Sequence, residues 1–186
     1  MASQLAGKRT KSIRWDPAST RFDDVVTTFQ RELFATALRI LGERTLAEDA
    51  LQDTFLKAYR ALDGLAPGSN IRAWLYRILV NTAYDQVDRQ KTRAKVIDDL
   101  REQERPASPP DPSVPEGLDR ENVLEQVEAA IRSLPGKYRD PLILRHIQGL
   151  SYAEMGEALD MPEATARTLV FRGKRMLLPK LKHLME

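Results

Sequence analysis

At 186 residues and 42% hydrophobic composition the chain can bury one medium core or two small ones, and no apolar run approaches the roughly 20 residues that span a bilayer. It has no cysteine, and its two histidines, His146 and His183, are too far apart to suggest a cluster, which removes disulfides, thiolate nucleophiles and Cys-based metal sites and leaves no cofactor to expect. The net charge of +2 is laid out in blocks, basic at both ends and acidic between; with no apolar N-terminal signal, the chain is expected in the cytoplasm, facing a polyanion such as nucleic acid.

Residues 1–20 show no sustained period and read as a flexible basic arm, with five Lys or Arg against one Asp in residues 1–21. Phe22, Val25, Val26, Phe29, Leu33, Ala37 and Leu41 then keep helical spacing up to a stop near Gly42. A second helix is expected from Thr45, whose hydroxyl can cap it with Glu48 reaching back, and its apolar positions are Leu46, Ala50, Leu51, Phe55, Ala58, Tyr59 and Leu62. "LDGLAPGSN" breaks the pattern as a loop. The helix after it, to about Lys95, carries Trp74, Leu75, Ile78, Leu79 and Val80 as core, while Arg77, Asn81, Asp85 and Arg89 recur every fourth residue as a polar stripe. A solvated face is the ordinary reading of such a stripe, and for Asp85 two readings stand equal, pairing with Arg77 or Arg89 at helical spacing and a contact with nucleic acid.

Residues 98–120 carry seven acidic against three basic side chains, and five of the ten residues from Pro106 to Pro115 are proline, so this stretch reads as an extended linker. Periodicity resumes near Leu118 with Val123, Leu124, Val127, Ala130, Ile131 and Leu134, breaks at "PGK", continues in "YRDPLILRHIQ" and turns at Gly149. The fold expected is all-α: two small helical domains, about 21–96 and 118–184, joined by a flexible Pro-rich acidic linker over 97–117.

"GLSYAEMGEALDMPEATARTLVFRGKRML" has the layout of a helix-turn-helix. Ser151 and Glu154 can form a capping box, the turn falls at 160–162, and Pro162 suits a first helical position. Ala166, Val170, Gly173 and Leu177 form the packing face of the second helix. Arg167, Thr168, Phe171, Arg172, Lys174 and Arg175 project away from it, and residues 163–183 hold six Lys or Arg against Glu163 alone. That face suits a DNA major groove, where arginine forks match guanine edges and phosphates, with Arg145 and Tyr152 as supporting phosphate contacts. The competing reading is an ordinary solvated basic helix.

Taken in order, "AEDALQDTFLKAYRALDGL", "IRAWLYRILVNTAYDQVDR" and "SLPGKYRDPLILRHIQGLSYAEMGEALDMPEATARTLVFRGKRML" resemble the extracytoplasmic-function sigma factors, the smallest members of the bacterial sigma-70 family, from about Phe22 to Leu181. The resemblance implies a non-enzymatic subunit that joins core RNA polymerase, contacting the coiled coil and flap, directs it to a promoter and helps open the duplex. The second helix would meet the largest subunit's coiled coil through Asp49, Gln52, Asp53, Phe55, Lys57 and Arg60. The loop over 65–71 and the helix after it would read the minus-ten element. A base is read on its Watson–Crick edge only after leaving the stack. Ala61, Leu65, Ile78 and Asn81 would form the base pocket, Asn70 would join the DNA contacts, and Arg72, Arg77, Arg89 and Arg93 would hold phosphates, with Trp74 a core anchor. The C-terminal helix-turn-helix would read the minus-thirty-five element.

The chain departs from the family pattern at Leu169, where many members carry Arg or Lys, and at "APGSN", where the loop is usually acidic and rich in Gly and Ser. The 21 residues of 97–117 can reach about 65–70 Å, comparable with two duplex turns of about 34 Å each, so two weak half-sites can be engaged together. The expected partners are core RNA polymerase, promoter DNA and an anti-sigma factor, with no small-molecule substrate and a monomer when free. The alternative is a free-standing helix-turn-helix regulator whose N-terminal helices serve dimerisation or ligand binding.

Overall fold

The computed structural model describes residues 13–101 and 120–182, with side chains outside that description at 90–101, 120–122 and 124. Seven α-helices are present among the described residues: α1 Phe22–Leu41, α2 Arg44–Ala61, α3 Ile71–Arg101, α4 Arg120–Arg132, α5 Gly136–Leu142, α6 Tyr152–Leu159 and α7 Glu163–Leu181. They form the two helical domains expected, and no strand occurs among the described residues beyond an isolated bridge between Arg14 and Asn70.

Helix α1 ends where glycine permits it: Gly42 takes the left-handed φ of 76° and its N–H donates to the Leu38 carbonyl. The start of α2 departs from expectation. Glu43 occupies the cap position without a side-chain bond, and Glu48, instead of reaching back to a Thr45 cap, accepts from Arg44 Nε at 2.8 Å. Phe29 and Leu33 of α1, Ala47, Ala50 and Ala58 of α2, and Ile71, Leu75, Tyr76 and Leu79 of α3 make a fully buried three-helix core. Tyr59, expected in the apolar stripe of α2, stands outside it, 66% exposed and packed edge-on against the Phe22 ring at 5.3 Å. Helix α3 continues past its expected end near Lys95 into the segment assigned to the linker; residues 102–119 of that linker, and residues 1–12 of the arm, lie outside the described residues.

The arm expectation fails for residues 13–20. Trp15 is buried at 6% exposure, and Asp16 accepts from the Ala18 N–H at 3.0 Å and the Ser19 hydroxyl at 2.6 Å, making a turn that leads into α1.

In the C-terminal domain α5 contains Pro141, which has no N–H to donate within the helix, and is followed by a π turn over Ile143–Ile147. Ser151 caps α6 in the expected box: its hydroxyl accepts from the Glu154 N–H at 3.1 Å while Glu154 accepts from the Ser151 N–H at 2.7 Å. Asp160 ends the helix in a left-handed conformation, φ 53° and ψ 51°. Pro162 serves as the cap residue of α7, one place earlier than expected. Gly173 lets α7 meet α5, since a Cβ there would lie 2.8 Å from Leu142 Cδ1 and 3.0 Å from the Tyr138 carbonyl.

The two domains pack on each other, with α3 lying against α6 as well as α2. At the centre is Arg72, 4% exposed, whose Nε donates to Glu32 of α1 at 3.0 Å and whose Nη2 donates to the Gln148 carbonyl of the C-terminal domain at 2.7 Å. Burial opposes its charge, and the Glu32 carboxylate more than offsets this, holding the guanidinium pKa above its ordinary value. Around it, Asn70 Nδ2 donates to Glu154 at 3.0 Å, Arg77 pairs with Asp160 at 3.0 Å, the Tyr84 hydroxyl donates to Asp140 at 2.6 Å and Arg39 pairs with Glu128 at 3.2 Å. Replacing the buried Arg72 by Ala strands the largely enclosed Glu32 carboxylate and the Gln148 carbonyl and is expected to cost about 3–5 kcal/mol of stability. Replacing the half-exposed Arg77 should cost less than about 1 kcal/mol; chemical denaturation of the two variants checks the contrast.

Candidate nucleic-acid interface

Helix α7 presents two faces of opposite character. Ala166, Val170 and Gly173 are buried, whereas Arg167, Thr168, Phe171, Arg172, Lys174 and Arg175 are all exposed, Phe171 to 62%. Arg167 is held at its base by Glu163 at 2.8 Å, and Thr168 returns its hydroxyl to the Ala164 carbonyl at 2.9 Å. The guanidinium carbons of Arg145 and Arg167 lie 4.5 and 4.8 Å from the Tyr152 ring centre, and Arg145 Nη1 donates to the Leu150 carbonyl at 2.7 Å. Arg145 and Tyr152 therefore brace the start of α6 and support Arg167. Burial, then the neighbouring charges of Lys174 and Arg145, lower the His146 pKa.

Leu169, the apolar departure, is half-buried and faces the other domain. It lines a cleft of about 250 Å³ with Val80, Asn81, Tyr84, Leu159 and Met161 among its walls. Its side chain belongs to the domain contact, which accounts physically for an apolar residue there.

The loop and α3 supply the second surface. Leu65, Ser69, Asn70, Trp74 and Arg77 line a separate cleft of about 330 Å³ with Arg14, and Glu157 and Asp160 of the C-terminal domain complete its wall. Asn70 also caps α3, its Oδ1 accepting from the Ala73 N–H at 3.3 Å. The expected base-pocket residues are thus distributed: Leu65 lines this cleft, Asn81 lines the cleft beside Leu169, Ile78 is half-buried against the core, and Ala61 is exposed. Arg77 and Arg89 are exposed as a phosphate contact requires, although Arg77 is held by Asp160. Arg72 corrects the expectation outright, because its guanidinium is enclosed between Glu32 and Gln148 instead of facing solvent. Trp74 is half-buried on the core and also reaches the cleft. The side chain of Arg93 lies outside the description.

Asp85 pairs with neither arginine of its stripe. It accepts from Lys57 of α2 at 3.2 Å, and the same ammonium donates to the Thr82 hydroxyl at 3.0 Å. Lys57 therefore ties α2 to α3, and Phe55 is half-buried with its ring 6.3 Å from Phe22. These two leave the face on which Asp49, Gln52, Asp53 and Arg60 share one side of α2. On that face the structure adds Leu56, 53% exposed, and Tyr59. Helical spacing from Asp49, Gln52 and Asp53 to Leu56, Tyr59 and Arg60 was the available signal for both.

Comparisons with known proteins agree with this layout. The Sigma-70 region 2 family model matches residues 25–93 and the Sigma-70 region 4 model matches residues 124–177. The Escherichia coli ECF RNA polymerase sigma-E factor is 32% identical over 168 residues, covering 88% of this chain and 87% of that protein. The Bacillus subtilis ECF RNA polymerase sigma factor SigW is 29% identical over 185 residues, covering 95% and 97%. Among solved structures, the sigma factor RpoE in complex with the anti-sigma factor NepR, from Bartonella quintana, superposes with a TM-score of 0.67 at 27% identity, covering 87% of this chain and 96% of that one. No helix among the described residues is long and apolar enough to cross a membrane. With both regions present in order along one chain, and relatives matched over nearly their whole length, this protein belongs to the sigma-70 family, in its extracytoplasmic-function group.

Proposed function

We propose that the chain works as an alternative sigma factor through three surfaces: it joins core RNA polymerase, directs it to specific promoters and promotes initiation, with no catalytic site of its own. The observation that carries the reading is the separation of two candidate DNA surfaces onto different domains. The exposed basic face of α7 suits duplex, whereas the loop and α3 form a concave surface with amide, aromatic and guanidinium groups, suited to an unstacked base and its phosphates. Arg172, Lys174 and Arg175, with Phe171, read the minus-thirty-five element; Leu65, Asn70, Arg77, Asn81 and Arg89 meet the minus-ten strand; Asp49, Gln52, Leu56, Tyr59 and Arg60 meet the polymerase.

In the packed arrangement, carboxylates of the C-terminal domain stand where strand phosphates would sit, since Glu154 holds Asn70 and Asp160 holds Arg77. Engaging the opened strand therefore requires α6 to leave α3, while the α7 face is exposed throughout. The protein acts in the cytoplasm as a monomer when free, and an anti-sigma factor is its expected inhibitory partner. The free-standing regulator has less support, since its N-terminal domain would not match Sigma-70 region 2.

Purified chain added to core RNA polymerase is expected to yield run-off transcription from genomic fragments enriched by the holoenzyme. Tight duplex binding by the chain alone, with no transcription on adding core enzyme, would identify a free-standing regulator instead. Asn81→Ala is expected to weaken open-complex formation, read by permanganate reactivity of the opened strand, while duplex binding by α7 is kept. Arg172→Ala should lower use of promoters that depend on their upstream element, roughly tenfold for loss of one good bidentate contact; run-off assays on a panel with and without that element check it.

A further inference from the structure

The segment over 13–15 lies ahead of the matched Sigma-70 region 2, which begins at residue 25, and no role yet described uses it. It is nonetheless the partner of the candidate minus-ten loop. Trp15 N–H donates to the Ser69 carbonyl at 2.8 Å, the Gly68 N–H donates to the Trp15 carbonyl at 2.7 Å and the Ile71 N–H donates to the Ile13 carbonyl at 3.1 Å. Arg14 Nη1 donates to the Gly68 carbonyl at 3.0 Å. These bonds bracket the antiparallel bridge between Arg14 and Asn70. Underneath, the Trp15 indole joins the same buried cluster as Phe29, Leu33, Ile71 and Leu75, which anchors the segment to the three-helix core.

The loop needs such a support. Gly68 sits at φ +82°, a conformation open to many alternatives for glycine, and the turn at 66–69 is closed by one bond from the Ser69 N–H to the Ala66 carbonyl at 3.1 Å. Two carbonyls and two N–H groups of 68–71 are occupied by residues 13–15 or by Arg14. Without them this backbone would turn to water and sample a broad ensemble. A pocket that discriminates bases needs its walls held within about 0.5 Å. Arg14 also lines the cleft formed by Leu65, Ser69, Asn70, Trp74 and Arg77, and so adds a guanidinium to its rim.

We infer that residues 13–15 are a positioning element of the minus-ten site: by docking along the loop as an antiparallel partner anchored through Trp15, they hold the backbone from which bases are read and so help set promoter choice. The inference rests on the assignment of that loop to the minus-ten strand proposed above.

The test uses the full chain in reconstituted holoenzyme on a cognate promoter and on its single-base minus-ten variants. Trp15→Ala is expected to reduce the cognate-to-variant transcription ratio about tenfold, and Arg14→Ala, an exposed change that leaves the core intact, about threefold. Trp15→Phe should restore most of the ratio. Core-polymerase affinity and the response to the upstream element should be unchanged in all three, which a merely destabilised protein would not show. Leu65→Ala serves as the control for the loop itself. If Leu65→Ala alters minus-ten preference and neither Trp15→Ala nor Arg14→Ala does, residues 13–15 position nothing and the inference is overturned. If Leu65→Ala also leaves preference unchanged, the assignment of the loop fails first and the inference falls with it.

Discussion

The guanidinium of Arg72 is the interaction on which the arrangement depends. It is enclosed at 4% exposure, takes the Glu32 carboxylate on one side and the Gln148 carbonyl on the other, and its Cζ lies 5.6 Å from the Tyr76 ring centre. A buried charge is tolerated only when paired and hydrogen-bonded, so α1, α3 and the segment after α5 must all be in place for Arg72 to be there at all. A lysine could not serve equally, because a point ammonium lacks the planar fork that reaches a carboxylate and a carbonyl together.

The rest of the domain contact is of a different kind. Arg77 with Asp160 and Arg39 with Glu128 are partly exposed ion pairs, which individually contribute about 0–1 kcal/mol, weakened by salt, and Asn70 adds a hydrogen bond to the Glu154 carboxylate. One enclosed cation with peripheral charge pairs makes a contact that is specific in register and mostly polar, properties of a surface that can open. Two of these contacts, Arg77 with Asp160 and Asn70 with Glu154, set acidic C-terminal side chains against the start of α3. The exposed faces of α2 and α7 stay turned outward, away from this contact.

Much of this was legible in the residues. Gly42 as a helix stop, the Ser151 and Glu154 box, and the division of α7 into a buried Ala166–Val170–Gly173 side and an exposed cationic side depend on local chemistry and on the 3.6-residue period. The exposed cationic side of α7 could be named residue by residue for that reason. Contacts that cross between helices are not legible in this way. Lys57, expected among the polymerase-facing residues of α2, is exposed but also bonds to Asp85 and Thr82, and Arg72, expected among the phosphate ligands, lies buried. Neither partner is close in sequence: Arg72 and Glu32 are 40 residues apart, and Arg72 and Gln148 are 76 apart.

The amino-acid sequence by itself determined the all-helical class, the two-domain order, the exposed cationic side of α7 and, through resemblance, the family. Apart from the family, these are properties of periodicity and capping, which act over a few residues and so depend little on distant contacts. Only the tertiary structure decided which charges are buried, which of the clefts each pocket residue lines, and that Trp15 belongs to the core beneath the loop instead of to a free arm. The reason is that a single indole in a basic, aperiodic stretch carries no local signal of burial. Its place is set by the apolar cavity that three distant helices leave open, and that cavity exists only once they have packed.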